Sequence, residues 1–259
     1  MITAETKELA AGRLERLRRL VQTRHIVRVE ELSAELGVSP APVRRDLAEL
    51  DDRGAVRRVH GGAVATESRL TEPLFEDKTT LAAAEKQSIA QAALRLIQPN
   101  DSVFLDGGST VLALAALLRD RTDISVTTNS LRVAVELAAG GPPLILVGGE
   151  LRRLSQTFVG PLTRFTIDPL HVDKAFIGTI GLTLDAGMTT TDPREAYTKT
   201  LVMEHARQVV LLADSSKFGK VSFTRVGSLD RVDLLITDRG ASRKQIAQFA
   251  KRHIKVLAV

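Results

Sequence analysis

The chain predicts an α/β protein in two parts: a small helical unit closed by a basic hairpin, then a larger, mainly parallel sheet covered by helices. Three observations predict it. Residues 39–50 carry apolar side chains at helical spacing and are followed by the basic run Arg57-Arg58-Val59-His60-Gly61-Gly62. From residue 85 onward, short apolar runs alternate with helical stretches, the pattern of strand–helix–strand units. Glycines and small polar residues follow several of those runs, where parallel sheets bind their ligands.

With 259 residues, 44% hydrophobic and 26% charged, the chain has room for a small domain and a larger one of ordinary globular composition. No apolar run is long enough to span a membrane, and the first five residues have neither a basic flank nor an apolar core. A cytoplasmic protein with no membrane partner is therefore expected. The absence of cysteine excludes disulfides, thiolate metal sites and a cysteine nucleophile. A net charge of +5 permits contact with nucleic acid, but residues 1–66 hold 12 Lys/Arg against 10 Asp/Glu, a balance of only +2. A case for DNA rests on where those charges point. With no Trp and one Tyr, a stacking platform for single strands is not expected.

In the N-terminal unit, Leu14, Leu17 and Val21 recur at helical spacing and predict a first helix ending near Thr23. Ile26, Val27 and Val29 read as a short extended piece. Residues 30–36 form a second helix with Leu32 and Leu36 inward, stopped by Gly37. Ser39 then caps a third helix over residues 39–53, with Pro40 at its first position, where a missing N–H costs nothing. Val43, Leu47 and Leu50 share one face of it, so Ala41, Arg45 and Ala48 face the other way with Arg44 to one side. Small residues beside an arginine let a helix approach a groove, and Arg pairs with guanine in two places at once, discriminating by about 1–3 kcal/mol. Arg57, Arg58 and His60 lead into Gly61-Gly62, a turn pair for a wing that reaches phosphates or the minor groove. The plainer alternative is a solvated face with Arg44 and Arg45 paired to Glu49 and Asp51. The expected DNA contacts are Ser39, Ala41, Arg44, Arg45, Arg57, Arg58, His60, Gly61 and Gly62.

Residues 66–84 show Pro73, scattered charges and no sustained periodicity, and read as a connector between a domain at 1–65 and one at 85–259. A helix follows over 85–97. Strands are expected at 103–105, 124–127, 144–147, 175–177, 209–212, 234–236 and 256–259, with helices at 111–118, 131–139, 195–206 and 243–251. At the predicted strand ends lie Asp106-Gly107-Gly108-Ser109-Thr110, Thr128-Asn129, Gly148-Gly149 and Asp214-Ser215-Ser216-Lys217. Free N–H groups and two hydroxyls at a helix start form a cradle for a phosphate. Each alone is an ordinary turn; together they point to one site.

The N-terminal half resembles the DeoR family of bacterial transcriptional regulators, on Arg13, Leu17, Val21, Ser39, Val43, Arg44, Arg45, Asp46 and Leu47 and on the wing from Arg57 to Ala63. Members usually carry Thr where this chain has Pro42. The C-terminal half resembles the family's effector domain, similar in fold to ribose-5-phosphate isomerase. It does so on Asp106 to Thr110, Thr128-Asn129, Gly148-Gly149, Lys174-Ala175-Phe176-Ile177-Gly178, Glu195 and Asp214 to Lys217. The resemblance implies a winged helix-turn-helix regulator, mostly repressing in this family. It implies a phosphorylated sugar or polyol at Gly107, Gly108, Ser109 and Thr110, with Asp106, Asn129, Glu195 and Lys217 for hydroxyls or charge balance. Thr128, Gly148 and Lys174 complete the expected effector set.

The rival reading is a sugar-phosphate isomerase fused to a DNA-binding domain. Isomerases carry acids in the loop matching Gly178-Thr179-Ile180-Gly181, and here that loop has none, so no enzyme is expected although Glu195 remains a candidate base. A third reading, a constitutive architectural DNA binder, leaves the polar strand ends unexplained. His25, His60, His171, His205 and His253 lack metal-ligand spacing, so neither metal nor cofactor is expected. Double-stranded operator DNA of repeated or palindromic sequence implies at least a homodimer.

Overall fold

The structure, a computed structural model, describes residues 4–24, 26–52, 55–65 and 72–259, with side chains from residue 12. His25, Arg53 and residues 66–71 of the expected connector lie outside the described residues. The chain divides into two units, Met1–Ser68 and Arg69–Val259.

The first unit runs α1 (Ala4–Arg24), β1 (Ile26–Arg28), α2 (Val29–Leu36), α3 (Pro40–Asp52), β2 (Val56–Val59) and β3 (Gly62–Ala65). Leu17 and Val21 of α1, Leu32 of α2, and Val43, Leu47 and Leu50 of α3 meet in one buried cluster with Val27, Val56 and Ala63. Each such aliphatic side chain contributes about 1.5–3 kcal/mol on burial. Asp46, on the inner side of α3, accepts two hydrogen bonds from Arg13 of α1, at 2.6 and 3.1 Å. This fork-to-carboxylate pair fixes the pitch of α3 against α1. The sheet order is β1-β3-β2, with Val59 opposite Gly62. The wing's turn is thus His60-Gly61, one residue earlier than the Gly-Gly pair suggests, and Gly62 already belongs to β3.

The second unit contains α4 (Phe75–Thr80), α5 (Ala83–Leu94), β4 (Ser102–Leu105), α6 (Ser109–Ala116), β5 (Ser125–Thr128), α7 (Leu131–Leu137), β6 (Leu144–Leu146), β7 (Glu150–Arg152), β8 (Thr157–Val159), α8 (Arg164–Ile167), β9 (Val172–Gly178), β10 (Gly181–Thr183), β11 (Gly187–Thr190), α9 (Pro193–Glu204), β12 (Ala206–Leu212), β13 (Thr224–Val226), β14 (Leu234–Thr237), α10 (Arg243–Ala250) and β15 (Lys255–Ala258). Seven strands form one parallel sheet, in the order β15-β14-β12-β9-β4-β5-β6. All seven strands expected from the sequence are in it.

The sheet is buried on both faces, as parallel sheets are. Alternate residues supply two clusters: Phe104, Ala175, Ile177, Val209 and Leu211 on one side, Val103, Leu105, Phe176, Val210 and Leu212 on the other. Leu201 and Val202 of α9 and Phe249 of α10 join the first; Ile89 of α5, Leu114 of α6 and Leu137 of α7 join the second. From β4 the chain proceeds outward through β5 and β6, then returns to place β9 on β4's other side. The strand order therefore reverses between β4 and β9, and a crevice opens beyond their carboxyl ends.

Residues 72–84 are not a connector: they are folded into the second unit. Phe75 is buried, and so are Lys78 and Lys86. Their neighbour Glu72 is ion-paired to Lys78 at 2.5 Å and to Arg152 at 2.8 Å. Burial by charge pairing leaves no apolar period, which is why the sequence shows none.

Candidate functional site

In the first unit, Ala41, Arg44 and Arg45 lie exposed on the outer face of α3, while Val43, Asp46 and Leu47 are buried. Among the described residues no ion pair joins either arginine to Glu49 or Asp51. Ser39 is exposed before α3; Arg57, Arg58, His60 and Gly61 are exposed along the wing, and Gly62 is buried. Two basic elements, a helix face and a hairpin tip, are thus presented by one small core. An exposed, unpaired arginine keeps all five donors available to base edges or phosphates.

In the second unit a cavity occupies the crevice where the strand order reverses. Gly107, Gly108, Ser109 and Thr110 line it from the β4 side and Gly178, Thr179 and Ile180 from the β9 side. Glu195 and Lys199 of α9 and Asp214 and Lys217 beyond β12 also line it. Gly107 faces the Thr157 side chain so closely that a Cβ would collide with its methyl group. Gly108 precedes α6 with φ of 136°, a region that favours glycine. These two residues let backbone run along the cavity, and the first residues of α6, whose N–H groups have no partner within the helix, line it.

Asp106 stands behind this turn, 1% exposed. Its Oδ2 accepts from the Gly178 backbone N–H at 3.0 Å, across the crevice, and from the Lys199 ammonium. Lys199 also donates to the Gly178 carbonyl at 3.2 Å and stands 3.5 Å from Glu195, four residues earlier on α9. Burial opposes the charge on Lys199, but the carboxylates of Asp106 and Glu195 more than offset it and raise its pKa. Glu195, by contrast, is raised above the usual carboxylate range chiefly by its own burial. Its Oε2 has no hydrogen-bond partner. A buried, unsatisfied carboxyl oxygen beside a cavity is suited to accept a ligand hydroxyl.

Three further cations gather at this site. Lys78, Lys86 and Lys217 all line the cavity. Burial, together with repulsion from Lys217 and Lys78, drives Lys86 down to about 8 although Asp214 partly supports its charge. Lys217 is lowered too, first by burial, against the pull of Asp214, whose Oδ2 is 3.9 Å away. An anion placed among them relieves both burial and mutual repulsion.

Of the effector residues expected from sequence, the structure brings Gly107, Gly108, Ser109, Thr110, Glu195 and Lys217 to the cavity, with Asp106 behind it. Others are elsewhere. The Thr128 hydroxyl donates to the Leu105 carbonyl at 2.6 Å and accepts from the Ser130 N–H, tying β5 to β4. The Asn129 side-chain amide donates to the Phe158 carbonyl at 3.1 Å. Gly148 is exposed beyond β6 and does not line the cavity. Lys174 lies near the start of β9, at the opposite end of the sheet, where it pairs with Asp101 at 2.6 Å. Only the family resemblance placed it among the effector residues, and strand direction carries it away. Missed from sequence were Glu72, Lys78, Lys86, Lys199 and Arg152. Only Lys199 had a legible signal, its i,i+4 spacing from Glu195 on a helix started by Asp192-Pro193.

Comparison with known proteins agrees with this division. Residues 13–69 match the DeoR-like helix-turn-helix domain and residues 81–239 the DeoR C-terminal sensor domain. The chain belongs to the DeoR family. The HTH-type transcriptional regulator GlpR of Haloferax volcanii is 39% identical over 89% of this chain and 90% of its own length. The lactose phosphotransferase system repressor of Streptococcus mutans is 36% identical over 87% of this chain and 91% of its own. Among solved structures, ribose 5-phosphate isomerase A of Methanocaldococcus jannaschii aligns with 53% of this chain and 55% of its own, at 18% identity and a TM-score of 0.41. No helix among the described residues is long and apolar enough to cross a membrane.

Proposed function

We propose that this DeoR-family chain represses a carbohydrate-utilisation operon from the cytoplasm, gripping operator DNA as a homo-oligomer through α3 and the wing. A phosphorylated sugar or polyol bound at residues 107–110 releases it. The presence of Lys78, Lys86 and Lys217 in the lining of one cavity with the glycine turn carries this reading: three cations and a helix start fit a phosphate, and Glu195 fits a hydroxyl. The chain binds rather than converts its ligand, because the loop Gly178-Thr179-Ile180 facing the cavity offers no acid or base. Near-complete release requires the ligand to favour the non-binding state by about 10⁴-fold, or ~5.5 kcal/mol.

The test is a thermal-shift panel of glycerol 3-phosphate, ribose 5-phosphate, fructose 6-phosphate and glucose 6-phosphate, each beside its unphosphorylated parent. A member at 100 times its Kd stabilises by about 2.7 kcal/mol. Parents that stabilise as well as their phosphates, or a panel with no effect, overturn the reading. For the DNA face, Arg45→Ala is expected to lose about 1–3 kcal/mol on a duplex selected by the protein from a random pool, and much less on unselected duplex. Equal losses on both duplexes assign Arg45 to the phosphate backbone alone.

A further inference from the structure

Buried charges run from the cavity lining to Glu72. Glu72 is the first described residue after the segment 66–71 that joins the two units. Its carboxylate side chain is 1% exposed and accepts from Lys78, Arg152 at 2.8 Å and the Thr191 hydroxyl. Arg152, at the end of β7, is the hub. It reaches Glu72, Asp192 at 3.2 Å and the Thr191 hydroxyl at 2.8 Å. It also stands 3.3 Å from the Oε2 of Glu195, a cavity-lining residue whose Oε2 is buried without a hydrogen bond.

That last pair is incomplete. Arg152 Nη1 and Glu195 Oε2 are both buried, both without a hydrogen bond, and close to one another without the alignment a hydrogen bond needs. Two adjacent unsatisfied groups of opposite charge form a joint with a second arrangement within reach. A hydroxyl donated to Glu195 satisfies one side and changes what Arg152 gains from it. Arg152 then redistributes its donors between Glu195 and Glu72, since each N–H serves one acceptor well. A single buried guanidinium thus lies within ion-pair distance of three carboxylates, those of Glu72, Asp192 and Glu195.

We propose that Arg152 is the positioning residue that couples ligand recognition at Glu195 to the hold on Glu72, and through Glu72 to the segment entering the DNA-binding unit. This rests on the sugar-phosphate reading above and adds its route. Arg152 does not line the cavity, so its role is distinct from holding the ligand.

The test uses full-length protein, the selected duplex and the same four sugar phosphates. Arg152→Lys keeps a cation among the carboxylates but loses the planar fork that serves several at once. Wild type is expected to lose operator affinity by roughly 10- to 100-fold at a saturating active sugar phosphate. Arg152→Lys is expected to bind that compound by calorimetry yet change its operator affinity by less than about threefold. A merely structural role lowers stability and leaves this ratio intact. Release as complete as wild type overturns the relay. If Arg152→Lys does not fold, hydrogen exchange on wild type decides: the sugar phosphate must alter exchange of the backbone amides in residues 72–80, and unchanged exchange overturns the proposal. Failure of wild type to bind any panel member is a different result, which removes the sugar-phosphate reading itself.

Discussion

Lys199→Met is expected to destabilise the second unit by about 3–5 kcal/mol, because it leaves buried carboxylates without their cation. Lys199 is 3% exposed and is the only side-chain cation within hydrogen-bond reach of Asp106 among the described residues. Asp106 in turn closes the crevice by accepting from the Gly178 N–H, so the loss reaches both strands that define the cavity. Methionine fills similar volume, which separates the charge effect from a packing defect. For a unit of this size the expected fall in melting temperature is on the order of 10 °C. A loss under about 1 kcal/mol in urea unfolding contradicts the account. The alkaline limb gives an independent check. The folded pKa of Lys199 is raised above its ordinary 10.5, so its contribution is fully present below that pH and is lost as pH rises through the folded value. Wild type and Lys199→Met therefore converge only in strong alkali.

Much of this fold is legible in the sequence, and the part that is not has a common physical origin. The strands of the parallel sheet are buried on both faces, so each announces itself as an apolar run such as Val103-Phe104-Leu105 or Val209-Val210-Leu211-Leu212. The α3 face is legible for a similar reason: Val43, Leu47 and Leu50 must be apolar, so the arginines must point outward. The small antiparallel pieces β7, β8, β10, β11 and β13 are three or four residues long and too short to display a period. At the site, the backbone cradle is legible because only glycine fits Gly107 and Gly108. The cations are not: Lys78 and Arg152 are brought in by tertiary pairing from segments with no pattern of their own, and Lys86, on the expected helix over 85–97, is buried by donating to the Lys78 and Leu81 carbonyls. Lys174 illustrates the converse: it immediately precedes the expected strand at 175–177, which places it at the start of that strand and away from the carboxyl ends where ligands bind.

The same hidden pairing yields a pH prediction. Glu72 is held down to about 2: burial alone pushes it up, but Lys78 first, then Arg152 and the Thr191 hydroxyl, overcome that and favour its charged form. Against an ordinary 4.5, that depression corresponds to about 3 kcal/mol of stability. A depressed carboxylate contributes above its unfolded pKa and loses its contribution as pH falls through the folded one, so the window runs from 4.5 down to about 2. Glu72→Gln keeps the shape and removes the titration. Urea unfolding at successive pH values is therefore expected to show wild type steeper than Glu72→Gln between pH 4.5 and 2, with the difference in stability shrinking by about 3 kcal/mol across that window. Parallel profiles mean that Lys78 and Arg152 do not depend on the charge of Glu72. Because Glu72 pairs with Lys78, which lines the cavity, a steeper wild-type limb also means that this pairing is electrostatic, and hence open to competition from an anionic ligand there.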